Sequence, residues 1–195
     1  MRNWEIKSRS RFCSGCDQTF EVGQLYHTLL RLPGEEPERK DYCVRCWKEG
    51  DISGGREEKD TAYWQGRFRR LSDPAKKEEN KKDVIERLLD RYIASGEESH
   101  INLCYILALL EERKKVLVPR ETITDKEGHD VIVYEHTETG DTYLVRDPHL
   151  SLVQVEAVQE QVRELIDREK ESAPGPDSEE GNGEEEDEEM DSSDK

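Results

Sequence analysis

Cys13-Ser14-Gly15-Cys16 is answered by Cys43-Val44-Arg45-Cys46, with 26 residues between the two pairs. Two Cys-x-x-Cys pairs supply four thiolates, a full tetrahedral set for one metal ion with no position left for water or substrate. The two-residue gap lets the chain turn tightly and aim both sulfurs at one point. This spacing predicts a single structural Zn2+ held by Cys13, Cys16, Cys43 and Cys46. Thiolate-only sets suit zinc or iron. Rubredoxin-like iron sites also use two such pairs but pack Gly or Pro around the cysteines. Here Asp17 follows Cys16 and Trp47 follows Cys46, which favours zinc. A redox dithiol needs one pair at a helix start after a βαβ-type strand and leaves the second pair unexplained. An iron or dithiol redox protein is therefore the weaker reading.

Outward from the cysteines, Phe20 and Val22 alternate with polar residues and Gly23 allows a turn. Residues 24–32 read as a strand, with Leu25, Tyr26, Leu29 and Leu30 offering apolar surface. Pro33-Gly34-Glu35-Glu36-Pro37 is a turn, and 38–42 a return strand that delivers the second pair. The segment between the pairs is thus a β-hairpin. Trp47 to Gly50 reads as a short helical turn, with Trp47 placed to cover the sulfurs. Knuckle, hairpin, then a pair entering a helix is the order of a treble-clef zinc site, and a zinc ribbon is the close alternative. His27 lies on the hairpin as a spare ligand that four cysteines make unnecessary.

Residues 1–50 form this zinc module, and 51–72 read as a linker, with Gly54, Gly55 and a charge cluster at 56–60. Within it stand Tyr63, Trp64, Arg67, Phe68, Arg69 and Arg70. Interleaved aromatic and basic residues suit a partner or nucleic-acid contact. The plainer reading is stronger: Tyr63, Trp64 and Phe68 dock the segment while the arginines stay solvated, since little other basic surface supports a nucleic-acid role.

Residues 73–170 read as a small α+β domain. Ser72-Asp73-Pro74 is a helix start, and Val84, Ile85, Leu88, Leu89, Tyr92 and Ile93 follow at helical spacing up to Gly96. Ser99 is placed to cap a second helix reaching about residue 115. Its apolar residues surround most of its circumference, so it is buried on more than one side. Cys104 within it is a small core residue. Strands at 116–124, 130–136 and 142–146, separated by turns, make a three-stranded antiparallel meander. Ser151 with Gln154 forms a capping box, and Leu150 with Val155 a hydrophobic staple, at the head of a last helix. Its stripe of Leu152, Val155, Val158, Val162, Leu165 and Ile166 suits packing on the meander or pairing between two chains as a homodimer.

The charge is unevenly spread. Lys and Arg number 14 against 12 Asp and Glu in residues 1–72, 15 against 23 in 73–170, and 1 against 12 in 171–195. The last segment, rich in acid, Pro, Gly and Ser, is expected to be a disordered acidic tail. A broad basic surface, the mark of a dedicated nucleic-acid binder, is not present in this balance. Hydrophobic residues are 32% and charged residues 39%, so the core is modest, the condition in which a metal staple is most useful. No apolar run opens the chain or is long enough to cross a bilayer, which makes a reducing cytoplasmic location the expectation. The histidines fall at caps, turns and strand ends without a catalytic spacing, and no phosphate-binding glycine loop occurs.

Trp4, Cys13-x-x-Cys16, Phe20-x-x-Gly23, Asp41-Tyr42-Cys43-x-x-Cys46-Trp47, Tyr105-Ile106-Leu107-Ala108-Leu109 and Asp147-Pro148-x-Leu150-Ser151-Leu152 together resemble an uncharacterised group of bacterial proteins. The resemblance covers most of residues 1–168 and implies no activity. The cysteine site also resembles treble-clef modules in general, which implies binding or scaffolding. The sequence thus leads to a non-enzymatic zinc-binding protein that contacts another protein. A nucleic-acid-associated regulator using the zinc module and residues 63–70 is the alternative.

Overall fold

The computed structural model describes residues 7–32, 37–50, 60–69 and 83–172. Strand β1 (Leu25–Arg31) is buried along nearly its whole length, as a central strand must be. It pairs antiparallel with β2 (Glu38–Cys43) on one edge and with β3 (Thr61–Arg67) on the other, giving the order β2-β1-β3. The hairpin partnership of β1 and β2 follows the sequence reading, and its turn at 33–36 lies outside the described residues. Helix α1 (Val44–Glu49) leaves β2 directly, with Cys43 at its N-cap and Gly50 at its end.

The linker reading of 51–72 needs correction over the part described. Residues 61–67 are strand β3, and its ladder is extended by Leu32 N–H to the Asp60 carbonyl (2.9 Å) and Phe68 N–H to the Gln24 carbonyl (2.7 Å). The charge cluster before it suggested solvent. The β-favouring residues Thr61, Tyr63 and Trp64 and the second edge of β1 decide the outcome.

The meander appears as expected: β4 (Leu117–Thr124), β5 (Asp130–His136) and β6 (Thr142–Arg146), antiparallel, in the order β4-β5-β6, with a bulge between Pro119 and Glu121. Period-two alternation gives it two buried faces. Val131, Val133 and Leu144 join Leu30, Leu32, Ala62 and Trp64 in a core between the sheets. Tyr134, Tyr143 and Val145 turn the other way, into a core shared with the helices. The layers are therefore sheet, sheet, helices.

The helix start expected at Ser72-Asp73-Pro74 lies outside the described residues, and helix α2 (Val84–Ser95) has Asp83 at its N-cap position. Gly96 ends it at φ 62°, the left-handed value that favours glycine. A 3-10 turn, Glu98–His100, leads into α3 (Ile101–Arg113). Ser99 does not cap α3. His100 holds the cap position, and the Ser99 hydroxyl donates to Glu97 Oε2 at 3.3 Å. Helix α3 buries Cys104, Ile106, Leu107, Ala108 and Glu111 and packs on α2, α4, β4 and β6. Helix α4 (Leu152–Ser172) opens with the Ser151 N–H donating to Gln154 Oε1 at 3.0 Å, half of the predicted capping box. Its stripe packs on α3 and α2, in the core that the helices share with one face of the meander. Leu152 departs from the stripe, being 84% exposed. Ion pairs Arg91–Glu169 and Lys114–Asp83 tie the helices together at their margins. No described helix is long and apolar enough to cross a membrane. Of the acidic tail, only its first two residues fall within the described chain, at the end of α4.

The two sheets are also joined by buried charge. The Arg39 side chain on β2 is 2% exposed and that of Asp41 1%. Arg39 Nη1 donates to the Gly140 carbonyl and to Thr142 Oγ1, each at 2.6 Å, while Nε and Nη2 reach Asp41 Oδ1 at 3.2 and 3.1 Å. Glu135 on β5 lies 3.8 Å from Arg39 Nη2. It accepts from Tyr26 Oη at 2.8 Å and from Arg120 Nε at 2.9 Å. Burial, then the Glu135 carboxylate, pushes the Tyr26 phenol up to about 12. Removing one member of such a set strands its partners in low dielectric. Arg39→Met should therefore lower the unfolding free energy by about 3–5 kcal/mol, read as a fall in the urea midpoint at unchanged slope.

At the β4–β5 turn, Asp125 Oδ1 accepts the N–H groups of Glu127 (2.8 Å) and His129 (2.9 Å). Burial opposes ionisation of this carboxyl. Those two donors, with the charges of His129 and Arg146, outweigh it and hold the group below the usual carboxylate range. A depressed folded value means stability that is present at neutral pH and is lost as pH falls below about 4. Asp125→Asn should flatten the pH dependence of chemical unfolding in that acid window while leaving its shape above pH 5 unchanged.

Candidate metal centre

The first cysteine pair sits on a knuckle. Phe12 bridges Thr19, the Phe20 N–H donates to the Arg11 carbonyl, and the Cys13 N–H donates to the Gln18 carbonyl, each hydrogen bond 2.9 Å long. The chain reverses at Asp17, whose φ of 57° is left-handed; a short polar side chain tolerates that conformation better than most. Ser14 N–H docks the knuckle on the Asp41 carbonyl of β2 at 2.8 Å. Strand β2 ends at Cys43, and Cys46 lies in the first turn of α1.

This arrangement brings the four sulfurs within 4.8 Å of one another. Four thiolates tetrahedral about an ion at about 2.3 Å sit about 3.8 Å apart, inside that bound. Backbone N–H groups already point at the inner sulfurs: Gly15 to Cys13 Sγ at 3.4 Å, Cys43 to Cys13 Sγ at 3.2 Å, and Cys46 to Cys43 Sγ at 3.4 Å. The Cys46 thiol is pushed up to about 12, first by its hydrogen bond to Cys16, then by loss of hydration and by its bonds to Cys43 and Cys13. Metal binding opposes that shift, because it requires deprotonation. The exposed Arg45 guanidinium is stabilised in its charged form, first by a hydrogen bond to Cys16.

The centre has a dry side and a wet side. Cys13 and Cys43 are buried, Cys16 and Cys46 only partly. Phe20, Tyr26 and Phe68 pack on the inner sulfurs, with Tyr42 beside them. Trp47 is buried beside the centre: its ring meets that of Tyr42 (6.1 Å, 52°) and stacks on the rings of His27 (5.0 Å, 5°) and Tyr63 (4.8 Å, 17°). His27 Nδ1 lies 2.7 Å from Tyr63 Oη, so the spare ligand belongs to a ring stack.

No protein-family model, no curated protein and no solved structure matches this chain.

The residues expected to make a partner contact separate into two groups. Trp64 and Phe68 are buried, Trp64 in the core between the sheets and Phe68 against the cysteines. Tyr63 is half-buried in the stack. Arg67 and Arg69 are exposed; Arg67 Nη1 donates to the Gly23 carbonyl at 3.1 Å, and the Arg69 carbonyl accepts from Arg9 at 2.5 Å. Arg70 lies outside the described residues. Cys104 is a core residue whose thiol burial pushes up to about 12.

A second group with ligand-type side chains, Asp125, Glu127 and His129, was not singled out from the sequence. Their Asp-x-Glu-x-His spacing on a turn was the available signal. A cation already sits there: Arg146 Nη2 is 3.6 Å from both Asp125 Oδ2 and Glu127 Oε2.

Gly15 is the tightest point of the centre. A Cβ at this position would lie 2.9 Å from Cys46 Cβ and 3.2 Å from its sulfur, so the knuckle would be pushed off the second pair. Gly15→Ala should weaken Co2+ binding by about 10-fold or more, within the range for disturbed metal surroundings, as read from the thiolate–cobalt absorbance in a competitive titration.

Proposed function

We propose that Cys13, Cys16, Cys43 and Cys46 hold one zinc ion, and that the chain is a non-enzymatic protein-interaction module stabilised by it. The observation that carries the reading is the gathering of four sulfurs, with backbone N–H groups directed at two of them. Four protein thiolates fill a tetrahedral shell and leave no position for a substrate, which favours a structural role. One pair on a knuckle and the other spanning a strand end and a helix start support a treble-clef type over a zinc ribbon, in which both pairs sit on hairpin turns. A contact with another protein is supported by Phe12 and Val22, which are 52% and 70% exposed. They flank the knuckle, beside the exposed Arg11 and Arg67. Large apolar side chains held out beside a rigid centre are what a docking face needs.

Metal content per chain, measured on protein purified without added metal, tests the ion. The expected result is one zinc per native chain and none in Cys43→Ser. One iron with visible colour would replace this reading by electron transfer, and metal-free protein whose thiols oxidise reversibly in pairs would replace it by redox chemistry. Phe12→Ser with Val22→Ser should keep the zinc and abolish capture of a partner identified with the native chain; undiminished capture would remove the proposed face.

A further inference from the structure

Arg9 is a buried cation, only 6% exposed, and among the described residues no carboxylate pairs with it. Its Nη2 donates to the Arg69 carbonyl at 2.5 Å, while Nε has no hydrogen-bond partner. The guanidinium lies over two rings instead, 4.6 Å from the centroid of Phe68 and 5.9 Å from that of Tyr26. It also rests on the β5–β6 turn, where a Cβ on Gly140 would lie 3.0 Å from the guanidinium carbon. Cation–π contact recovers only part of what a cation loses on leaving water.

The buried carboxylates nearest this turn are taken by other cations. Asp41 pairs with Arg39, and Glu135 with Arg39 and Arg120. The region joining the two sheets therefore carries more positive charge than its carboxylates balance. The missing negative charge is supplied at the cysteine cluster. Phe68 and Tyr26, the rings that receive Arg9, are also the rings that pack on Cys13 and Cys43. Four thiolates on a divalent ion leave two net negative charges. In a dry interior such charges act on a cation beyond the nearest layer of side chains.

We infer that Arg9 is the buried counter-charge of the metal centre, seated on Phe68 and Tyr26, and that it stabilises the negative tetrathiolate without ligating the ion. Arg9 is a positioning residue in this sense: it sets the field in which the sulfurs hold a cation. Arg45 beside Cys16 is exposed, so water and salt screen its charge; burial spares Arg9 that screening. The inference rests on the four-thiolate reading and names what balances the charge of that site.

The test is the reduction potential of the full chain loaded in vitro with iron in place of zinc. One added electron makes the iron tetrathiolate more negative, and a buried cation favours that reduced form. Arg9→Met keeps packing against the rings and loses the charge. Arg9→Gln keeps a donor for the Arg69 carbonyl and also loses the charge. Both should shift the Fe3+/Fe2+ potential to more negative values, whereas Arg9→Lys should stay close to the native potential. In a competitive titration the two neutral variants should bind Co2+ about 10-fold more weakly, with the difference persisting at high salt. An unchanged or more positive potential in the neutral variants overturns the inference, as does an Arg9→Lys shift as large as theirs. Absence of metal binding by the native chain would remove the four-thiolate reading and this one together. Native binding with the same affinity and potential in Arg9→Met and Arg9→Gln would remove this one alone.

Discussion

The buried Arg39 guanidinium is the constraint around which the two sheets are arranged. It leaves β2 toward the second sheet and satisfies its donors on Asp41, Thr142 and the Gly140 carbonyl. A charge taken out of water at this depth needs nearly complete pairing, so its acceptors must stay in register. Asp41 is held in turn by Thr28 Oγ1 at 2.6 Å and the Ser10 N–H at 2.8 Å. Ser10 lies just before the first cysteine pair. The same carboxylate that neutralises Arg39 thus fixes the approach of the chain to the metal centre, and Asp41's own carbonyl receives Ser14 from the knuckle. Hydrophobic burial between the sheets supplies affinity without direction; the ionic set supplies direction.

The centre depends on this scaffold more than on its own helix. Helix α1 is only six residues long, too short to be stable in isolation. It is held by Cys43 and Cys46 at one end and by the stack of Trp47 on His27 and Tyr63 at the other. Two different kinds of contact, sulfur-centred and aromatic, therefore anchor one turn and a half of helix to strands β1 and β3. Strand β3 serves both: Tyr63 joins the stack, Trp64 the core between the sheets, and Phe68 just beyond it closes over the sulfurs.

The features legible from the sequence were those with local causes. Cysteine spacing is covalent, so the four-sulfur cluster could be read directly. The meander announced itself through alternation and turn residues, and α4 through Ser151 and Gln154. What escaped had causes far away in the chain. Strand β3 is a strand because β1 offers it an edge, and the charges preceding it disguised this. Arg39, Asp41 and Glu135 each look like surface residues alone; only their mutual approach makes burial tolerable. The stack of Trp47 on Tyr63 joins two elements that sequence proximity does not connect. Leu152 fitted the helical period of α4 yet lies at its first position, ahead of the surface that α2 and α3 provide.

Tyr26 gives this architecture a mechanical property. Its ring packs with Phe20 (centroids 5.7 Å apart) against the inner sulfurs, and its hydroxyl ends on Glu135 of the meander. Gly66 on β3 leaves the room this needs, since a Cβ there would lie 2.8 Å from the phenol. One rigid side chain therefore spans from the cysteine cluster to the opposite sheet, with no flexible joint between. A bond of this kind couples the packing around the sulfurs to the strand that carries Glu135, because neither end of the ring can move without disturbing the other.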